Sequence, residues 1–129
     1  MTAKAWIPNR LENEVQAGIY QYLALRGDCF WWRQNSGVFS PRPGAFIRAG
    51  KKGAGDILCC QAPTGRMVAI EVKRSKGGTV GPKQREFRDQ LTAHGGLYIV
   101  ARSIDDVRAT LGEPKVRIPC PFSGRIYPK

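Results

Sequence analysis

The sequence predicts an α/β domain, a central mixed β-sheet flanked by helices in the order α-β-β-β-α-β-α. Three observations lead there. Segments with apolar residues at helical spacing alternate with short runs of β-branched and aromatic residues. Two of those runs flank a tight turn at residues 62–66, as in a β-hairpin. A third, residues 97–101, follows a helical segment, and a mixed sheet with helices on both faces accounts for that order. At 129 residues the chain has the length of one domain. Residues 1–112 are assigned to it and residues 113–129 to an extended, proline-bearing tail.

The first helix is predicted over residues 10–26, where Leu11, Val15, Ile19, Tyr22 and Leu23 recur at helical spacing. Asn9 is its expected N-cap, with Glu12 three residues on as in a capping box, and Gly27-Asp28 is its stop. Residues 29–33 read as a short strand. Residues 34–55 read as a long basic, glycine-rich loop with room for a short strand near residues 45–48. Residues 56–61 and 67–73 form the hairpin strands. Pro82 opens a helix that ends near His94, before Gly95-Gly96. The third apolar run follows, and Ser103 caps a last helix over residues 104–111.

Twenty-one Lys and Arg against ten Asp and Glu leave a net charge of +11. That favours a polyanionic partner, most often nucleic acid, over a basic surface kept only for solubility. No apolar run approaches the roughly 20 residues of a membrane span, so no membrane partner is expected. Residues 1–10 hold no apolar signal core, and the four cysteines show no Cys-x-x-Cys. The expectation is a cytoplasmic protein with reduced thiols and no zinc site.

With ten acids in the chain, their placement is informative. Between Asp28 and Asp56 there is no acid, but there are Arg33, Arg42, Arg48, Lys51 and Lys52. Asp56 lies where this stretch enters a strand, and Glu71 lies near the end of the partner strand. A hairpin with roughly five residues on each side of its turn sets the two carboxylates side by side. Glu71 and Lys73 share a face, and Val68, Ile70 and Val72 point the other way. Two adjacent carboxylates repel unless a cation compensates, and Mg²⁺ takes one or two of them together with phosphate and water oxygens. Lys73 is placed to orient or deprotonate a water and to offset transition-state charge. The plain alternative is an ordinary Glu-Lys ion pair on a surface hairpin.

On the first helix Glu12 falls within about 20° of Ile19 and Leu23, inside the apolar stripe. A carboxylate there wants a partner, either the capping box or a metal. Gln84 falls on the sheet-facing side of the helix after Pro82, near the end of the Lys73 strand. It either hydrogen-bonds backbone or positions the water, a phosphate or Lys73.

Glu12, Gly55-Asp56-Ile57, Ile70-Glu71-Val72-Lys73 and Gln84, in this order, resemble the PD-(D/E)XK nuclease superfamily, and in particular its VRR-NUC branch, which is related to Holliday junction resolvases. Residues 12–16, 32–37, 50–56, 82–84 and 95–101 carry the likeness, which extends over about residues 10–108. Ala54 or Gly55 stands where the superfamily has its Pro. The resemblance implies a restriction-endonuclease-like core and a Mg²⁺-dependent endodeoxyribonuclease, with Mn²⁺ substituting. It implies that Asp56, Glu71 and the Val72 carbonyl bind the metal, with Glu12 binding directly or through water. Lys73 would act on the attacking water and Gln84 would support it. Asn35 or Ser36 would contact the scissile phosphate region, and the cut would leave 5′-phosphate ends.

Branched DNA such as a Holliday junction is the implied substrate and a homodimer the implied assembly. Arg33, Arg42, Arg48, Lys51, Lys52, Arg74, Lys76 and Lys83 are the expected backbone contacts. The alternatives are a restriction-type or flap nuclease with the same site, and a non-catalytic basic module with Trp31 and Trp32 stacking on bases. Those tryptophans also suit a core or a dimer interface.

Overall fold

A computed structural model describes residues 11–34, 37–49 and 53–118. Helix α1 spans Glu12–Arg26, followed by strands β1 (Cys29–Arg33), β2 (Gly37–Arg42), β3 (Ala45–Ala49), β4 (Ile57–Gln61) and β5 (Arg66–Val72). Helix α2 (Pro82–Ala93), strand β6 (Leu97–Ala101) and helix α3 (Ile104–Leu111) complete the order. Four strands form a mixed sheet in the order β1-β4-β5-β6, and β2 and β3 form a separate two-stranded sheet. The pairs β1–β4 and β4–β5 are antiparallel, whereas β5–β6 is parallel because α2 carries the chain back between them.

The alternation of side chains divides the sheet into two faces. Ile57, Cys59, Val68, Ile70, Val72, Ile99 and Ala101 face α1 and α3 and meet Val15, Ile19, Leu23, Val107 and Leu111 in one core. Trp31 lies on this face, stacked on Tyr20 with ring centroids 5.1 Å apart. The opposite face carries Ala69, Glu71, Tyr98 and Val100, and α2 covers it from the β6 side, where Phe87 meets Tyr98. Toward β1 that face is open, and Phe30 and Trp32 stand beside each other, both exposed.

A buried ion pair ties the end of α1 to the core. Arg26 and Asp28 meet at 2.8 Å with side chains 2% and 0% exposed. Arg26 also donates to the Gly112 carbonyl at the end of α3, and Gln61 donates to Asp28. Burial raises the Asp28 pKa, but the hydrogen bonds from Arg26 and Gln61 outweigh it and hold the carboxyl below its ordinary value. Residues 113–118 return to this corner, where Ile118 N–H donates to Gly27 O and Arg117 to Leu25 O.

Three expectations are corrected. The stretch read as a loop over residues 34–55 contains the β2–β3 hairpin, turning at Pro43-Gly44. The strand allowed near residues 45–48 is β3, and glycine and proline disguised its partner β2. Helix α1 begins at Glu12, and the Leu11 carbonyl accepts from both Glu14 and Val15, so Leu11 is the N-cap. Asn9, the expected cap, lies outside the described residues. Strand β5 ends at Val72, with Lys73 just past it, although the Lys73 N–H still bonds Ala101 O. The Ser103 cap of α3 forms as expected, accepting from Asp106 N–H. Among the described residues, no helix is long and apolar enough to cross a membrane, and Cys29, Cys59 and Cys60 are free thiols.

Candidate active site

The β4–β5 register pairs Ile57 with Ile70, which brings Asp56 beside Glu71 on the α2 face. The backbone of Asp56 is held from both sides, by its own N–H to Ile70 O at 2.8 Å and by the Gln34 N–H to Asp56 O at 2.8 Å. Its side chain is held too, because Val72 N–H donates to Asp56 Oδ2 at 2.7 Å. The approach to Asp56 requires glycine. Gly53 has φ +85°, and a Cβ there would lie 2.2 Å from the Lys83 carbonyl oxygen at the start of α2. Gly55 has φ +97°, and a Cβ would lie 3.0 Å from Ile70 O. Only chain without side chains can run this close to both backbones.

Glu71 is buried, 7% exposed, between two bonded partners. Gln84 Nε2 donates to Glu71 Oε1 at 2.5 Å, and Lys73 Nζ lies 3.4 Å from the same oxygen. Gln84 is the third residue of α2, and its Oε1 accepts the Gly81 N–H at 2.9 Å. It therefore caps the helix with one end, as the backbone-bonding expectation had it, and holds Glu71, rather than Lys73, with the other.

Burial pushes the Asp56 pKa up, against the pull of the Val72 N–H and the charges of Lys73 and Arg33. Burial and the neighbouring Asp56 charge push Glu71 up to about 7, with Lys73 opposing and Glu12 adding to the rise. Two carboxylates that both resist ionisation form a donor set that a hard divalent cation suits. The fit is to a pair. Among the described residues, no three His, Cys, Asp or Glu side chains gather closely enough to hold a metal together. The placement of Glu12 in the apolar stripe is corrected: it is exposed in the first turn of α1, ahead of Val15, the first buried residue of the helix, and its charge reaches Glu71 through space.

Asp56, Glu71, Lys73 and Gln84 line one open cleft of about 720 Å³, with Lys83 and Thr79 at its margin. Arg33 is exposed near Asp56, and Arg42 is exposed next to the turn of the β2–β3 hairpin. Arg74 and Lys76 are exposed on the segment that leaves β5, and Lys83 pairs with Glu86 at 3.4 Å on the surface of α2. Arg48 belongs to β3, but its side chain is not among those described, and Asn35, Ser36, Lys51 and Lys52 lie outside the described residues.

Tyr98 is a neighbour that no motif singled out. Its hydroxyl donates to Gly53 O at 3.4 Å, and burial with the charges of Glu71 and Asp56 raises its pKa. Within an apolar strand a tyrosine gives no signal of such a position. Comparison of the chain with protein-family models, curated proteins and solved structures returned no match.

Proposed function

We propose that the protein is a metal-dependent endodeoxyribonuclease with a restriction-endonuclease-like core, of the PD-(D/E)XK superfamily and its VRR-NUC branch. The observation that carries the reading is the placement of Glu71, buried against Asp56 with Lys73 and Gln84 on the same carboxylate oxygen and an open cleft in front. Carboxylates would repel a phosphate backbone in such a cleft unless a cation stood between. Mg²⁺, or Mn²⁺ in its place, held by Asp56, Glu71 and the Val72 carbonyl, would neutralise the pair and polarise the phosphodiester.

The chain's own residues do the remaining work. Lys73 orients the attacking water and offsets charge at the phosphorus. Gln84 holds the Glu71 carboxylate in place, and Glu12 adds negative potential from the edge. Arg33, Arg42, Arg74, Lys76 and Lys83 lay the backbone across the cleft. Branched DNA is the proposed substrate and a homodimer the proposed assembly. The exposed Phe30–Trp32 pair supports an interface on the open half of the sheet.

Labelled four-way junction, flap and linear duplex, incubated with Mg²⁺, Mn²⁺ or EDTA, test the reading. Paired nicks in the junction, lost in EDTA and in Asp56→Ala and Lys73→Ala, are expected. Single nicks near any branch would select the flap-type alternative. Binding without cutting in either metal would replace the enzyme with a binding module. Gel filtration across protein concentrations tests the dimer.

A further inference from the structure

Residues 74–78, between β5 and α2, are gathered by a single side chain from another element. Arg102, just past β6, donates Nη1 to Arg74 O at 3.0 Å and to Gly77 O, and Nη2 to Gly78 O at 3.0 Å. Its own backbone is anchored, because Arg102 N–H donates to Asp106 Oδ2 at 2.8 Å. Gly77 and Gly78 are both left-handed, with φ +80° and +72°. In a planar trans peptide the N–H points opposite to the C=O of the preceding residue. With the Gly77 and Gly78 carbonyls aimed at Arg102, the N–H groups of Gly78 and Thr79 must point away from it.

The other side of this segment is the cleft. A Cβ on Gly78 would lie 3.7 Å from Lys73 Cδ, so Gly78 sits against the lysine that adjoins Glu71. Thr79 lines the cleft, and Arg102 is not among its lining residues. Successive backbone N–H groups turned outward form an anion-binding concavity.

We propose that the Gly78 and Thr79 amides form a phosphate-oxygen subsite beside Lys73, and that Arg102 is the positioning residue that builds it from behind. Assigning that phosphate to a DNA strand rests on the nuclease reading. The subsite itself rests only on the backbone geometry. It holds a non-reacting phosphate at the Lys73 wall, which is a binding role separate from the carboxylate pair.

Amide NMR of the full chain in EDTA tests it, with inorganic phosphate and a short DNA duplex as separate probes. Saturable shifts of the Gly78 and Thr79 amides with phosphate are expected. Arg102→Ala removes the three charge-assisted hydrogen bonds that gather this segment and should weaken phosphate binding by about tenfold or more. Arg102→Lys serves if the alanine variant does not fold, since an ammonium cannot span the same three carbonyls in the fork geometry of a guanidinium. Absence of the shifts in the native chain, or their retention at full affinity in a folded variant, would overturn the proposal. Shifts with phosphate but none with duplex, once Mg²⁺ replaces EDTA, would uphold the subsite and overturn the assignment of its phosphate to a DNA strand.

Discussion

The Val72 N–H donates to Asp56 Oδ2 at 2.7 Å, so a backbone group of β5 holds the carboxylate that precedes β4. No substitution in β5 other than proline at position 72 removes the donor of this bond, and Asp56 cannot rotate away without orphaning it. Asp56→Asn keeps an acceptor for that N–H but removes the charge. It is expected to fold at least as stably as the native chain at neutral pH while losing more than about 100-fold in Mg²⁺ affinity. Asp56→Ala leaves the N–H unpaired and should be less stable than Asp56→Asn by about 1–3 kcal/mol. Urea unfolding and Mg²⁺ calorimetry on the two variants check both statements.

The Glu71 carboxyl carries a pKa of about 7 in the folded chain against an ordinary 4.5. Between those values the unfolded chain releases a proton that the folded chain keeps, so the folded state loses stability as pH rises. The stability is full below about pH 4.5 and falls by about 3 kcal/mol once pH has passed through 7. Glu71→Gln should flatten this part of the profile in urea unfolding measured from pH 4 to 8. A parallel fall in variant and native chain would show that the carboxyl is not responsible.

Mg²⁺ binding to the pair must expel that proton, so apparent affinity should rise about tenfold per pH unit below 7 and level off above it. At about one hundred times the dissociation constant, the metal should stabilise the chain by about 2.7 kcal/mol. Thermal melts with Mg²⁺ titrated at pH 6 and pH 8 check this, with the larger rise expected at pH 8.

Gln84 joins the Gly81 N–H to Glu71 Oε1, so Gln84→Ala should act twice. Loss of the cap is worth about 1 kcal/mol, or a few degrees in melting temperature. Loss of the Glu71 bond should lower Mg²⁺ affinity by about 10-fold or more, as for other groups that orient a metal ligand. Gln84→Glu should keep the cap but weaken at neutral pH, because it adds a third negative charge beside Glu71 and Asp56.

Gly53→Ala would drive a Cβ to 2.2 Å from Lys83 O while holding a left-handed φ. The expected loss is more than about 1 kcal/mol of stability. Because the strained segment leads into Asp56, Mg²⁺ affinity should fall as well. Gly44→Ala is the matching control, since it also has positive φ but an added Cβ there meets nothing within 4 Å.

Local pattern was enough to place Asp56 and Glu71, but not Glu12, which helical spacing set in the apolar stripe and the structure leaves exposed. Alternation along residues 66–73 set Glu71 and Lys73 on one face, and the short turn before them brought Asp56 alongside. Helical spacing from Pro82 put Gln84 toward the sheet. Each of these follows from repeats of two or 3.6 residues within one or two elements. Strand β2 escaped because it begins at Gly37 and contains Pro41, whose local preferences mimic a loop until pairing with β3 overrides them. No pattern in the sequence singles out Arg26 at the end of a helix or Arg102 after a strand. One became half of a buried ion pair, and the other the hub of three carbonyls from a segment more than twenty residues earlier. Arg26 pairs with Asp28 only two residues on, but its burial under α3 and its bond to Gly112 O, like the Arg102 bonds, exist only once α3 and β6 have docked, and no local periodicity encodes them.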